Sequence, residues 1–311
     1  MITGEELREL AERKNGLPAF HLLLRFSVHL ALLYFAAHFY CSNHLILSFA
    51  LFYLNAVLWH FLGYAGISHE LFHNSVFKGR RLNNIFYNVT SYLSWNNPYF
   101  FKKSHGLHHA KTFSAGDVEI FRQHSISFWG FISLLTFNPH VFYRRIMYTF
   151  LNAFGFIPKL EGFRIIKLEK IVSKDSEIQF HACLILLTHL ILVVLMYFLF
   201  KSVILSILLF ATPFTAAYLN TSLAAAQHLG FEEYKNDGPL FFSRSIELPN
   251  ILAFFYGNMN YHAEHHFAPA VPYYNLQKLQ LLLAEKKVQR QPIVKFSYIF
   301  SSDHLRLLHE Y

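Results

Sequence analysis

The chain reads as an all-α integral membrane protein: four transmembrane helices in two hairpins, joined to a cytoplasmic cap that contains interfacial helices and carries three histidine clusters. Three observations predict this. Of 311 residues, 54% are hydrophobic, 18% aromatic and only 15% charged, well below the roughly 25% charge of soluble domains. Four long stretches are apolar and nearly free of charge, and a helix needs about 20 such residues to cross the hydrocarbon. Finally, 20 histidines stand against 19 Asp and Glu, and eight of them fall in three short windows.

The spans are expected at about residues 20–40, 45–67, 178–200 and 202–221, with Arg25 close enough to the start of the first to reach the interface. The links Cys41–His44 and Lys201 are so short that consecutive spans must form tight hairpins. Ile126 to Phe137 and Ile146 to Ile157 hold only about a dozen residues each, too few to cross, and read as interfacial helices. Asn138-Pro139 and Arg144-Arg145 lie between them. The aromatic stretch Phe86 to Phe101 is expected at the interface too. No repeat or low-complexity tract divides the chain, which reads as one domain over 1–311.

Lys and Arg concentrate on the cytoplasmic side of short loops, and Lys201 alone of the 27 falls in a predicted outer turn. Both termini and the middle loop are therefore expected in the cytoplasm, and the sequons at Asn88 and Asn220 bare. The acidic N-terminal arm, with Glu5, Glu6, Glu9 and Glu12, does not resemble a cleavable signal. The net charge of +8 suits an anionic membrane surface rather than nucleic acid, given the apolar runs. Cys41 and Cys183 are too few for a cysteine-held cluster and are expected most of a membrane apart, too far for a disulfide.

The clusters are His69 and His73; His105, His108 and His109; and His262, His265 and His266. Residues three and four apart share a helix face, so each window is expected to aim its imidazoles at a common point. An even number of crossings puts all three on one side. Neutral imidazole suits iron, copper or zinc, and eight imidazoles exceed the coordination of one ion, so two metals are implied. The first window, His69-Glu70-Leu71-Phe72-His73, also spells H-E-x-x-H, the zinc motif in which Glu activates water. That protease reading leaves six clustered histidines idle and lacks an acidic third ligand on a later span. Glu70 then orients a ligand or sits at the surface.

Written as H-x-x-x-H, H-x-x-H-H and H-x-x-H-H, the clusters resemble the histidine boxes of the membrane fatty acid desaturases and their hydroxylase and carotenoid-ketolase relatives. The most specific run is Gly257-Asn258-Met259-Asn260-Tyr261-His262-Ala263-Glu264-His265-His266, followed by Val271-Pro272-Tyr273 and Leu276. It departs from the family at His266-Phe267-Ala268-Pro269, where Leu-Phe-Pro is usual.

The resemblance implies an O2-dependent di-iron desaturase that introduces a double bond into the acyl chain of a lipid, and it leaves open an oxygen-inserting hydroxylase or ketolase. It makes the eight box histidines iron ligands. His228, two turns past the expected inner boundary of the fourth span, lies in an Ala-rich stretch like that of an additional ligand in the family, and is expected as a ninth. Asn258 and Asn260 are expected either to hold water at the metals or to cap the third-box helix. Asp117 and Glu119 either hydrogen-bond ligand imidazoles or are solvated loop residues. With no Gly-rich dinucleotide motif, no cysteine ligand set and no His-Pro-Gly-Gly haem motif, electrons are expected from a separate acidic protein, ferredoxin-, rubredoxin- or cytochrome b5-like. A structural membrane protein holding haem between two histidines is a further alternative.

Overall fold

The computed structural model describes residues 2–113, 117, 119, 126–156, 175–231, 234 and 236–310. A short helix α1 (Gly4–Leu10) opens the chain, closed at its N-terminus by a capping box between Thr3 and Glu6. Helices α2 (Gly16–Cys41) and α3 (Leu45–Trp59) then form the first hairpin. Its turn places Asn43 at φ 62°, a left-handed conformation that Asn tolerates. Ala36 and Ala37 are fully buried, so the helices approach closely. The polar links are Ser48 Oγ to the Ala36 carbonyl, at 2.7 Å, and His29 Nδ1 to Asn55 Oδ1, at 2.8 Å.

Among the described residues, three helical stretches are long and apolar enough to cross a membrane: Gly16–Cys41, Leu45–Phe72 and Ser176–Phe200. Their outer faces leave large apolar side chains bare, Ile46 at 90% exposure being the extreme, as lipid contact requires. The segment expected as a fourth span, 202–221, is not one helix. It divides into Val203–Ala211, a 3-10 turn Thr212–Phe214, and Tyr218–His228. Pro213 is the reason, because it lacks an N–H and its ring clashes with the carbonyl one turn back. Helix-free backbone is tolerated in such a place only where protein covers it. Here the loop at 136–138 does so: the Ala216 N–H donates to the Thr136 carbonyl at 2.7 Å and the Asn138 N–H to the Phe214 carbonyl at 2.8 Å.

Arg25 also departs from expectation. Rather than reaching the interface it is fully buried, donating through Nη2 to the Phe254 carbonyl and lying 4.2 Å from the Phe254 ring centre and 5.3 Å from that of Tyr273. Stacking on two ring faces offsets desolvation of a cation, so the first span is tied to the segments around the third box.

Beyond α3 the chain makes a 3-10 turn, His60–Leu62, and a sharp bend before α4 (Ile67–Phe72). Helices α5 (Arg80–Leu93) and α6 (Pro98–Lys111) follow, the latter with Asn97 as N-cap, accepting from the Tyr99 N–H, and Pro98 in its first turn. The stretch expected to be interfacial forms α7 (Phe128–Leu135) and α8 (Pro139–Ala153). Arg144-Arg145 does not mark a boundary as the sequence suggested: α8 runs straight through it. Arg145 turns inward, donating to the Ser94 carbonyl at 3.1 Å and to Asn96 Oδ1. Ile157, the expected end of that segment, lies outside the described residues.

The last third is a set of short elements around the third-box helix, His262–Phe267. They are a two-residue parallel pairing of Ile246 with Val294 and Glu247 with Lys295, and the helix Leu276–Glu285. Leu71, Ala263, Tyr273, Leu276 and Leu279 share one buried cluster, so the first and third boxes sit on a common core. Cys41 and Cys183 are both free.

Gly66 makes the bend before α4 possible, since a Cβ there would lie 2.0 Å from the Phe61 carbonyl oxygen. Gly66→Ala is expected to lower the thermal midpoint in detergent by several degrees, the effect of a strained backbone site. Gly79→Ala, where a Cβ meets nothing within 4 Å, should leave it unchanged; equal midpoints for the two variants would show that the bend is not under steric control.

Candidate metal centre

The nine histidines singled out in the sequence converge, but in two groups rather than one per window. His69, His73, His105, His109 and His265 bring one ring nitrogen each to within 4.8 Å of one another, and His108, His228 and His266 do the same. His262 joins the second group, its Nε2 lying 2.7 Å from that of His228 and 3.1 Å from that of His266. In the first group, Nε2 atoms face one another at 3.0 Å (His69, His265), 3.2 Å (His73, His105) and 3.3 Å (His109, His265).

The expectation that each window shares one target is thus corrected for the second and third windows, and helix geometry gives the reason. At 100° per residue, positions i and i+4 differ by about 40° around the helix, whereas i+3 lies about 60° to the other side. On α6 the pair His105 and His109 serves the first group and His108 the second. On the third-box helix the pair His262 and His266 serves the second group and His265 the first. Each helix therefore feeds both groups, in opposite senses.

Contacts on the far side of the rings set their chemistry. His69 Nδ1 lies 3.0 Å from the Tyr64 carbonyl, which can only accept. His105 Nδ1 lies 2.7 Å from Glu119 Oε2 and His108 Nδ1 2.9 Å from Asp117 Oδ2. Asp117 and Glu119 are thus partners of histidines, not solvated loop residues. Glu70, fully buried, places Oε1 2.7 Å from His265 Nδ1, at an angle too bent for a good hydrogen bond. With Nδ1 carrying the proton, His69, His105 and His108 each present an Nε2 lone pair inward.

The charge on these rings is set by their surroundings. Burial, and then the neighbouring imidazoles, holds His73, His105, His262, His265 and His266 well below the usual imidazole range, and His109 and His228 near 3. His108 is raised: burial opposes its charge, but the hydrogen bond and charge of Asp117 outweigh that. Burial lifts Glu119 to about 7, while Asp117 is lowered, its desolvation overcome by His108. Neutral imidazoles with convergent lone pairs are what two soft-to-borderline cations require, so the residues fit a pair of metal ions.

Asn258 and Asn260 do not cap the third-box helix. Asn258 Nδ2 donates to the Tyr273 carbonyl and Asn260 Nδ2 to the Ile246 carbonyl, each at 3.0 Å, and Tyr261 is the N-cap of the third-box helix, with no side-chain bond. They hold the turn that delivers this helix.

A sequence model of the fatty acid desaturase family matches residues 42–296, which include all nine histidines. The chain belongs to the fatty acid desaturase family. A search of curated proteins finds no match.

Sequence reasoning did not find the cavity that adjoins the groups, of about 500 Å³. His69, His105, His108, His228 and His262 form one wall, and Trp59, Phe101, Leu134, Val141, Phe214 and Met259 make much of the rest apolar. Its residues come from seven separated segments, so no local pattern could have revealed it.

Asp117→Ala and Glu119→Ala should each lower metal affinity about 10–100-fold, the usual cost of losing a carboxylate behind a ligand, measured by competition against a chelator. Exposed Asp237→Asn serves as the control. Unchanged affinity in both alanine variants would remove the two carboxylates from the site.

Proposed function

We propose that this protein is an O2-dependent di-iron desaturase acting on the acyl chain of a lipid. His69, His73, His105, His109 and His265 hold one iron, and His108, His228, His262 and His266 hold the other. The observation that carries this reading is the double convergence of neutral imidazoles beside an apolar cavity, in a chain of the desaturase family. Bound iron supplies what no side chain can, reduction of O2 coupled to removal of hydrogen from an unactivated methylene. The balance is –CH2–CH2– plus O2, two electrons and two protons to –CH=CH– plus two waters. Asp117, Glu119 and the Tyr64 carbonyl keep the Nδ1 protons in place so that each Nε2 faces inward. Apolar walls hold the chain and exclude bulk water, and the electrons come from a separate carrier protein, ferredoxin-, rubredoxin- or cytochrome b5-like.

Glu70 argues against the H-E-x-x-H protease reading. Its carboxylate is fully buried against His265 and is not poised over an open ligand position, as a water-activating base must be.

The protein is proposed to be multi-pass, with both termini and the metals on the cytoplasmic side. A reporter fused after Tyr311 should be cytoplasmic, and appearance on the outer face would invert the topology.

Purified protein should carry about two irons per chain, the number that two imidazole groups can hold. Cells expressing it should accumulate a lipid with one more double bond than cells expressing His265→Ala. One zinc and no iron would revive the protease, and a hydroxylated or keto product would move the chain to the oxygen-inserting branch of its family.

A further inference from the structure

Ser94, Asn96, Asn138 and Arg145 add polar lining to the cavity. Arg145 is anchored through Nη1 alone, to the Ser94 carbonyl and Asn96 Oδ1. Its Nε and Nη2 have no protein partner and are not sealed off, and no carboxylate pairs with it among the described residues. A half-buried cation without a counter-charge is costly, and a ligand anion would supply one. The planar guanidinium fork with one nitrogen pinned and two N–H-bearing atoms free matches a carboxylate.

We propose that Arg145 forms a carboxylate-binding subsite, so that the cavity takes a long-chain free fatty acid with its head at Arg145 and its chain against the histidine wall. This rests on the acyl-substrate reading above and names the head group. The volume, about 500 Å³, is that of a small-ligand site, with room for a single chain. An ester or thioester lacks the charge that the guanidinium calls for.

The test is displacement of a dansyl-labelled fatty acid from the purified full-length protein in nanodiscs, using oleate, methyl oleate and oleyl alcohol, with iron content measured on every sample. Wild type should bind oleate at least about tenfold tighter than its methyl ester or alcohol, the worth of one charge-assisted pair. In Arg145→Met that preference should fall to within about twofold at unchanged iron content. Arg145→Lys keeps the charge without the fork and should retain an intermediate preference, which keeps the test decisive if the methionine variant fails to fold. Equal binding of the three ligands by wild type, or an undiminished preference in Arg145→Met or Arg145→Lys, would overturn the subsite. Selective oleate binding by a wild type that yields no unsaturated product would support the subsite and count against the desaturase reaction.

Discussion

Everything in this molecule is arranged around a set of like groups crowded together in a buried place. Nine imidazoles bring their ring nitrogens inward, some to 3.0–3.3 Å of one another, and burial keeps most of them uncharged. Left alone, such an assembly would open. It is held from outside, by Asp117, Glu119 and the Tyr64 carbonyl gripping the opposite ring nitrogens, and by a core in which Leu71, Tyr273 and Leu276 pack together. The scaffold supplies the stability that the centre withholds, as expected where a site is built for a ligand.

Polar groups elsewhere among the apolar helices follow one logic. His29 with Asn55, Ser48 with a carbonyl, and Arg25 on two aromatic faces each satisfy a costly group inside the protein. Each also ties one helix to another, which matters where lipid gives no hydrophobic incentive for association. Arg25 is the most consequential, because its partners Phe254 and Tyr273 flank the third box.

The sequence made the histidines legible because their spacing is a local property: i, i+3 and i+4 can be read off any helix. It also showed the apolar lengths, although Pro213 should have warned that 202–221 would break. What local spacing could not show is which histidine goes to which group, since that depends on how two helices face each other. Nor could it place Arg25 or Arg145. In sequence one is a charge near the end of an apolar run and the other half of a basic pair, and only packing turns both inward. Asn258 and Asn260 are the converse case, residues inside a distinctive motif whose side-chain nitrogens donate to backbone carbonyls.

The division of the boxes bears on how the protein is made. The first group needs His265, and the second needs both His262 and His266, so neither set is complete until the ribosome has passed residue 266. The earlier histidines emerge in a chain that offers only fragments of a coordination sphere, and α6 alone cannot gather the rest. Capture of the proposed metals is thereby deferred until the third box has been synthesised. A truncated product, or one whose first span fails to dock on Tyr273, is left with partial sites and little hold on a reactive ion.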